Sequence, residues 1–499
     1  MEYDAIVIGA GVGGLTAALK LAKGGKRVLV FERQAGPGGV ATSFKRKGFT
    51  FESVLHYVDS LSVGQEVRTF LDEHGVSPAL TFIDIKEFGR VVYPEHDFVI
   101  RYGFDDLKKW LIETFPQEKD GLEVFFHQIN RFYRQLDHFS NAKLPLWFKL
   151  AVSLVLYPQI VKTSCMTLEQ YMTKKIKDKK ARAILGSIWG FVGLPPQELS
   201  SFYYLIILRG CWFESTMFVK GGYSRLFSAM VERIRECGSQ VIYSRTVTKI
   251  ITDCGRRVIG VVTDKGEEVK ARVIISNANS IDTLTKLIDD DTRKADYAKK
   301  LKQMEKSLSA VTVYLGLSVP AKEIGMQQPL LSIHPSYDHT AGYQHSRAGD
   351  AEELPMAVVD HSQFDPDLAP AGKSTLCAMV FAEYKQWEGL SQEAYDRKKS
   401  EAARRIVRQL ERYLPGLSNH IECIEVATPK TMERYPMLPE GAIYGFAETV
   451  PQSSINRLPQ TTKIKGLFLT GAWTTPGCGV HGCFVSGFDA ADLAERDLR

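Results

Sequence analysis

The chain has 499 residues, of which 44% are apolar and 24% charged, with 63 Lys plus Arg against 58 Asp plus Glu. That composition excludes wholesale disorder and allows two or three domains around a large core. The formal net charge of +5 is spread along the chain, which argues against nucleic acid as a partner, because phosphate binding needs a concentrated basic face.

The first element is a buried parallel strand, read from the apolar run Ala5–Ile8. It enters G-x-G-x-x-G at Gly9, Gly11 and Gly14. Gly9 permits the tight turn, Gly11 lets backbone approach a pyrophosphate, and Gly14 lets the next helix pack against the strand. That helix, from about Gly13 to Lys23, points free N–H groups and a positive dipole end at phosphate. "RVLVFE" is the second strand and ends in Glu32, eighteen residues past Gly14, where a carboxylate accepts hydrogen bonds from a ribose diol. Strand, helix and acid together make this a dinucleotide site. Because the strand pattern begins at Tyr3, no room is expected ahead of it for a signal or transit peptide.

"RQAGPGGVATSF" follows, with Gly38-Gly39 where a further phosphate-hugging turn is expected. From Phe49 to about Ser62 the chain returns toward the fingerprint. Residues 66–214 are rich in helix patterns and aromatics. Within them "LPLWFKLAVSLVLYPQIVK" (144–162) reads first as a buried helix. A second reading is a monotopic patch, with Trp147 at the interface and Lys149 and Lys162 at the headgroups. No run of about twenty apolar residues occurs, so no transmembrane helix is expected. From Val219 the pattern is again α/β: a glycine turn, an amphipathic helix, a strand near Val247, a hairpin turning at Asp264–Gly266, and a buried strand into Asn277. Residues 280–428 hold β-like runs ("SAVTVYLGLSV", "STLCAMVFAEY") and a charged helix from about Ser391 to Tyr413. The chain closes on a buried strand, "GLFLTG", a glycine turn and one terminal helix.

Eight cysteines (165, 211, 237, 254, 377, 423, 478 and 483) include no C-x-x-C pair, so a reducing, cytoplasmic setting is expected, with peripheral membrane contact as an addition. Gly477–Gly482 also spells G-x-G-x-x-G, but too little chain follows for a second Rossmann unit. Cys478, His481 and Cys483 offer three ligands in one turn and no partner fragment, so no metal site is expected.

Over essentially its full length the chain resembles the phytoene desaturase-type FAD oxidoreductases of the flavin amine oxidase superfamily, which include carotenoid cis–trans isomerases and retinol saturases. The matching pieces are Gly9–Gly14 with Glu32 and Gly38-Gly39, "KGGYSRL" (220–226), "VIISNAN" (273–279), "DPDLAPAGKSTL" (365–376), "TPKTMERY" (428–435) and "GLFLTGAWTTPGCGV" (466–480). The resemblance implies an α/β protein in which a discontinuous Rossmann-type FAD-binding domain (1–65, 215–290, 429–499) is interleaved with an α+β substrate-binding, membrane-associating domain (66–214, 291–428). With the fingerprint it assigns FAD to Gly9, Gly11, Val12, Gly13, Gly14, Glu32, Arg33, Gly38, Gly39, Val40, Val247, Asn277, Gly471, Ala472, Gly479 and Val480. It also implies a hydrophobic polyene or isoprenoid lipid as substrate, acted on at C–C double bonds.

Departures leave the reaction open among desaturation, saturation and isomerisation. Ala472 stands where relatives commonly carry an Asp for the ribityl chain, Cys478 where Gln or Gly is frequent, and Val54 where Gly is usual. His56 and His481 are the acid–base candidates near the flavin loops. Cys478 is a candidate covalent flavin anchor. A flavin amine oxidase, or a lapsed FAD- and lipid-binding protein, are the alternatives.

Overall fold

Ala5, Ile6 and Val7 are fully buried in the first strand (Glu2–Ile8), which pairs in parallel with Val28–Phe31 on one side and Glu268–Ser276 on the other. The computed structural model describes residues 2–53, 58–142, 146–214 and 216–499, and His56 lies outside them. The long strand Glu268–Ser276 serves two neighbours along its second edge. Its start pairs with the hairpin strand Arg257–Thr263, and its end with the short strand Leu467–Leu469. Gln240–Ile242 extends the sheet beyond Val28–Phe31, and Val247–Asp253 extends it beyond Arg257–Thr263.

The helix Val12–Lys23 is apolar almost all round, and such a helix has to be covered on every side. One covering element is the terminal helix Val480–Leu498, whose buried residues between Phe484 and Leu498 are small: Ser486, Gly487, Ala490, Ala491 and Ala494. These recur at three- and four-residue spacing and form a shallow face that lets the two backbones come close.

A second sheet runs in the order Ile421–Ala427, Ser309–Leu317, Ser374–Ala382, Met356–Val359, Leu330–Ile333, Glu87–Val92 and Asp97–Arg101. Ser309–Leu317 and Ser374–Ala382 are buried at every position, which accounts for their unbroken apolar sequences. The last two strands come from within 66–214, a stretch whose sequence is rich in helix patterns. "EFGRVV" and "DFVIR" alternate in burial and join through a Pro-containing turn, a strand signature overshadowed by the aromatic helices around it. Those helices, led by Lys119–Asn141 and Ser201–Leu208, enclose an aromatic core that includes Phe125, Trp189, Tyr203 and Trp212.

Of the segment 144–162, the described residues 146–162 are not a buried helix. They form a strap of three short helices, Leu146–Ala151, Ser153–Leu156 and Pro158–Ser164. Pro158 pushes the residue before it out of the helical region, and Tyr157 has φ −127°. Leu154 and Val155 are 74% and 80% exposed. The Trp147 side chain is outside the described part. No helix among the described residues is long and apolar enough to cross a membrane.

A Cβ added at Gly487 would lie 2.6 Å from the Gly13 carbonyl oxygen and from Thr16 Cβ. Gly487→Ala is therefore expected to destabilise by about 1–3 kcal/mol through overpacking, although alanine in an exposed helix interior ordinarily gains about 1 kcal/mol over glycine. The urea unfolding midpoint reads the sign directly.

Candidate functional site

The site begins where the first strand ends. Gly9 turns the chain at φ +95°, its N–H donating to the Phe31 carbonyl at 2.7 Å. The helix that follows has Gly11 at its N-cap, with no side-chain cap and no acidic residue in its first turn. Its N-terminus therefore carries the helix dipole without a counter-charge from its own sequence. Glu32 ties this turn to the second strand: one carboxylate oxygen accepts from Ala10 N–H and the other from Gln34 N–H, each at 2.7 Å. Burial raises the Glu32 carboxyl above its usual range, and these two donors oppose the shift. Gly38-Gly39 returns against the same turn, with Gly38 N–H donating to the Ala10 carbonyl at 2.8 Å.

Asn277 stands at the centre. Its backbone N–H donates to the Ile8 carbonyl at 2.8 Å. A Cβ at Gly11 would come within 2.5 Å of its Nδ2, and one at Gly471 within 2.7 Å of its Oδ1. This is a cradle that side chains would fill.

The C-terminal wall is held from behind. Thr470 N–H donates to the Ser276 carbonyl at 2.9 Å, and Gly471 N–H to Ser486 Oγ at 3.0 Å. Behind this loop lies an ion pair with neither partner exposed, Arg457 Nη1 to Glu448 Oε1 at 2.7 Å. Arg457 also donates to the carbonyls of Thr474 and Ala472, and Glu448 accepts from Cys478 N–H at 3.3 Å. Burial pushes the Glu448 carboxyl up to about 7, against the pull of Arg457. A buried pair needs further hydrogen bonds, and backbone groups of 472–478 supply them to Arg457 Nε and Nη2 and to Glu448 Oε1, while Glu448 Oε2 is buried without a hydrogen-bond partner.

These segments enclose one cavity of about 1220 Å³. That exceeds the roughly 300–1,000 Å³ of an ordinary small-molecule pocket and gives room for an extended dinucleotide. Among the assigned positions, Gly9, Gly11, Val12, Gly13, Glu32, Arg33, Gly38, Gly39, Val40, Val247, Asn277, Gly471, Ala472, Gly479 and Val480 line it. Gly14 does not. Its added Cβ would meet the Gly9 carbonyl oxygen at 2.1 Å, so it serves the strand–helix contact. The terminal helix starts at the cavity from Gly479, again without a side-chain cap or an early acid. Two uncapped helix starts on one cavity suit a ligand with anionic groups at separated points, and the residues present fit FAD.

His481 does not line the cavity. Its Nε2 lies 3.2 Å from Glu66 and its Nδ1 3.6 Å from Asp59. Burial pulls the imidazole toward neutrality, yet Asp59 and Glu66 outweigh it and hold the pKa up at about 10. Cys478 is also off the cavity, with its carbonyl accepting from the Tyr203 hydroxyl at 2.6 Å. Burial, reinforced by Glu448, pushes its thiol well up. Cys483 does line the cavity, with its thiol pushed by burial up to about 12. Among the described residues, no three His, Cys, Asp or Glu side chains are grouped to hold a metal ion.

Tyr314, Met379, Ile443 and Tyr444, which no local sequence signal marks, join Trp473 in an apolar and aromatic stretch of the lining, with Trp473 fixed edge-on against Phe446. Tyr314 and Met379 lie in strands whose apolar runs announce burial but not which face meets a ligand. Among the described residues no histidine lines the cavity. The lining carboxylates already have partners: Glu425 with Arg46, Glu433 with Lys430, Asp282 with Lys286, and Asp396 with Gln392.

Residues 12–494 match the family model described as flavin containing amine oxidoreductase. Prolycopene isomerase 1, chloroplastic, from an Oncidium hybrid cultivar is 28% identical over 528 residues, spanning 100% of this chain and 84% of that protein. All-trans-retinol 13,14-reductase from Danio rerio is 27% identical over 520 residues, spanning 94% and 82%. Among solved structures, an oxidoreductase from Methanosarcina mazei superposes with a TM-score of 0.65 at 19% identity, covering 98% of this chain and 99% of that one. Putrescine oxidase bound to putrescine gives 0.65 at 17%, covering 100% of both. At these identities the structural likeness speaks for the fold. With the family model spanning nearly the whole chain and the glycine cradle built as a dinucleotide site requires, the chain belongs to the flavin containing amine oxidoreductases.

Proposed function

We propose that the protein is an FAD-dependent enzyme acting on C–C double bonds of a hydrophobic, carotenoid- or retinoid-like polyene. The observation that carries this reading is the cavity wall, which joins a dinucleotide cradle to an apolar aromatic stretch and offers no histidine and no unpartnered carboxylate among the described residues. In a wall of that kind the carboxylates are held by partners, and the bound flavin would supply the exchange of hydride or electrons with the substrate. Prolycopene and retinol, in the names of the two relatives above, are both polyenes. The likeness to putrescine oxidase extends to the fold alone.

In this reading Glu32 and the Gly9–Gly14 turn hold the adenosine diphosphate half of FAD. Asn277, Gly471, Ala472 and the helix start at Val480 hold the flavin half. The first sheet and its two covering helices act as the cofactor domain, and the second sheet with the helices of 66–214 forms the substrate chamber. Arg457 and Glu448 keep the 472–478 loop in register behind the flavin. His481 ties the terminal helix to 59–66 rather than moving a proton. The strap at 144–162 contacts membrane peripherally, a reading supported by its exposed apolar side chains, because a polyene reaches an enzyme from lipid.

Anaerobic incubation with candidate polyenes, followed by chromatography and mass measurement of products, tests the reading. Gain of two hydrogens identifies a saturase, loss of two a desaturase, and unchanged mass with shifted retention an isomerase. No change of any polyene with the flavin fully loaded rejects it. Glu32→Gln turns an amide NH₂ toward a backbone donor, so FAD affinity is expected to fall about 10–100-fold, the worth of a charge-assisted hydrogen bond. Flavin-to-protein ratio and a binding titration measure this.

The His481 pKa is raised from 6.5 to about 10 on folding, so its contribution to stability is complete below 6.5 and is lost as pH rises through 10. Unfolding free energy is expected to fall across that window by up to about 1.4 kcal/mol per pH unit, less in proportion to solvent screening. His481→Gln flattens this dependence and leaves substrate turnover in place. Loss of turnover with stability intact would instead make His481 a catalytic residue.

A further inference from the structure

The strap carries an apolar tip and a charge imbalance side by side. Leu154, Val155 and Leu156 are 74%, 80% and 49% exposed, on consecutive positions of one short helix. Between residues 146 and 182 stand eight Lys and Arg and two acids. Both acids are occupied within the fold: Glu169 pairs with Arg182 at 3.1 Å, and Asp178 caps the helix Lys179–Leu185. Lys149, Lys162, Lys174 and Lys175 have no ion-pair partner among the described residues.

Three of these lysines, Lys162, Lys174 and Lys175, are gathered in space. Lys175 is partly buried over the Tyr171 ring, 3.6 Å from its centroid, and its ammonium is held down at about 8 by burial and by the charges of Lys162 and Lys174. Lys162 lies on Pro158–Ser164, the helix directly after the apolar tip. Crowding like charges beside one another without counter-ions costs stability, and an external anion relieves it.

The base under the tip is fixed. Tyr157 is 1% exposed, and its hydroxyl lies 3.0 Å from His138 Nδ1. Lys149 Nζ donates to the Phe139 carbonyl at 2.6 Å, and Ser201 Oγ to the Thr163 carbonyl at 2.8 Å. The strap thus rests on the Ser201–Leu208 helix, whose Tyr203 holds the Cys478 carbonyl beside the flavin loop.

We propose that residues 146–182 form a docking surface for an anionic lipid bilayer, with Leu154–Leu156 inserted among the acyl chains and Lys149, Lys162, Lys174 and Lys175 against the phosphates. The inference rests on the membrane-contact reading above and adds the charge of the membrane and the residues that read it. Inserted aliphatic side chains supply the sequence-independent part of binding, and lysines at the surface supply the charge preference.

Co-sedimentation of the full-length flavoprotein with vesicles of phosphatidylcholine alone, and with vesicles doped with phosphatidylglycerol, tests it. At about 0.1 M salt, binding to the doped vesicles is expected to exceed binding to neutral ones by at least roughly tenfold. Lys162→Gln and Lys174→Gln each reduce that binding about fivefold, and salt near 1 M removes the difference. Leu154→Asp with Val155→Asp lowers binding to both vesicle types, with bound flavin serving as the check that the fold is intact. Equal, salt-independent binding to both vesicles overturns the anionic inference and leaves membrane contact standing. Wild-type binding by the Asp pair overturns insertion. No binding to either vesicle overturns the inference and the membrane reading together.

Discussion

Three strand ends and the start of the first helix meet at the Asn277 side chain, and only glycine fits around it. Ile8 accepts its backbone N–H, and Gly11 and Gly471 approach its amide so closely that a methyl group at either would collide with it. The rest of the architecture follows from that crowding. The first strand must sit beside Glu268–Ser276, Leu467–Leu469 must sit on the opposite edge of the same strand, and the two helices that follow their glycine turns must start side by side. The cavity is the space those helix starts leave open.

Electrostatics then stiffens what sterics assembles. The Arg457–Glu448 pair is fully buried, and an isolated pair in that position would be a liability. It is compensated in part: Arg457 donates to the carbonyls of Ala472 and Thr474 and Glu448 Oε1 receives the N–H of Cys478, while Glu448 Oε2 is left without a hydrogen bond. Ala472 has no side-chain polar atom to offer a ribityl chain, so its contribution to the site is a backbone held in place from behind. Cys478 is explained in the same way. Its side chain fills a closed space among Tyr203, Glu448 and Arg457, and its carbonyl and N–H carry the contacts.

The parts of the site legible in the sequence are those where function depends on backbone shape within a short span. Gly9 through Glu32 is one such span, and Leu467 through Val480 is another; each carries strand, turn and helix in fixed order. What escaped has no local signature. Glu448 and Arg457 are nine residues apart in irregular chain, and nothing in the spacing marks them as partners. Tyr314 and Met379 sit in uniformly apolar strands, where no alternation tells one face from the other. His481 was visible as a histidine near a flavin loop, but Asp59 and Glu66, which determine its charge, come from a distant segment. In the strap, hydrophobicity favours one buried helix over an interfacial patch, and the local cue against a single helix, Tyr157-Pro158, acts by sterics alone.

The first helix of the chain packs on the last one, and the strand that completes the cradle is only three residues long and arrives after residue 466. Loop closure over nearly the whole polypeptide must therefore precede a finished cofactor site. The cavity wall is complete only once residues 467–480 have joined the 9–14 turn. A ligand in the cavity touches both segments and so ties them to each other.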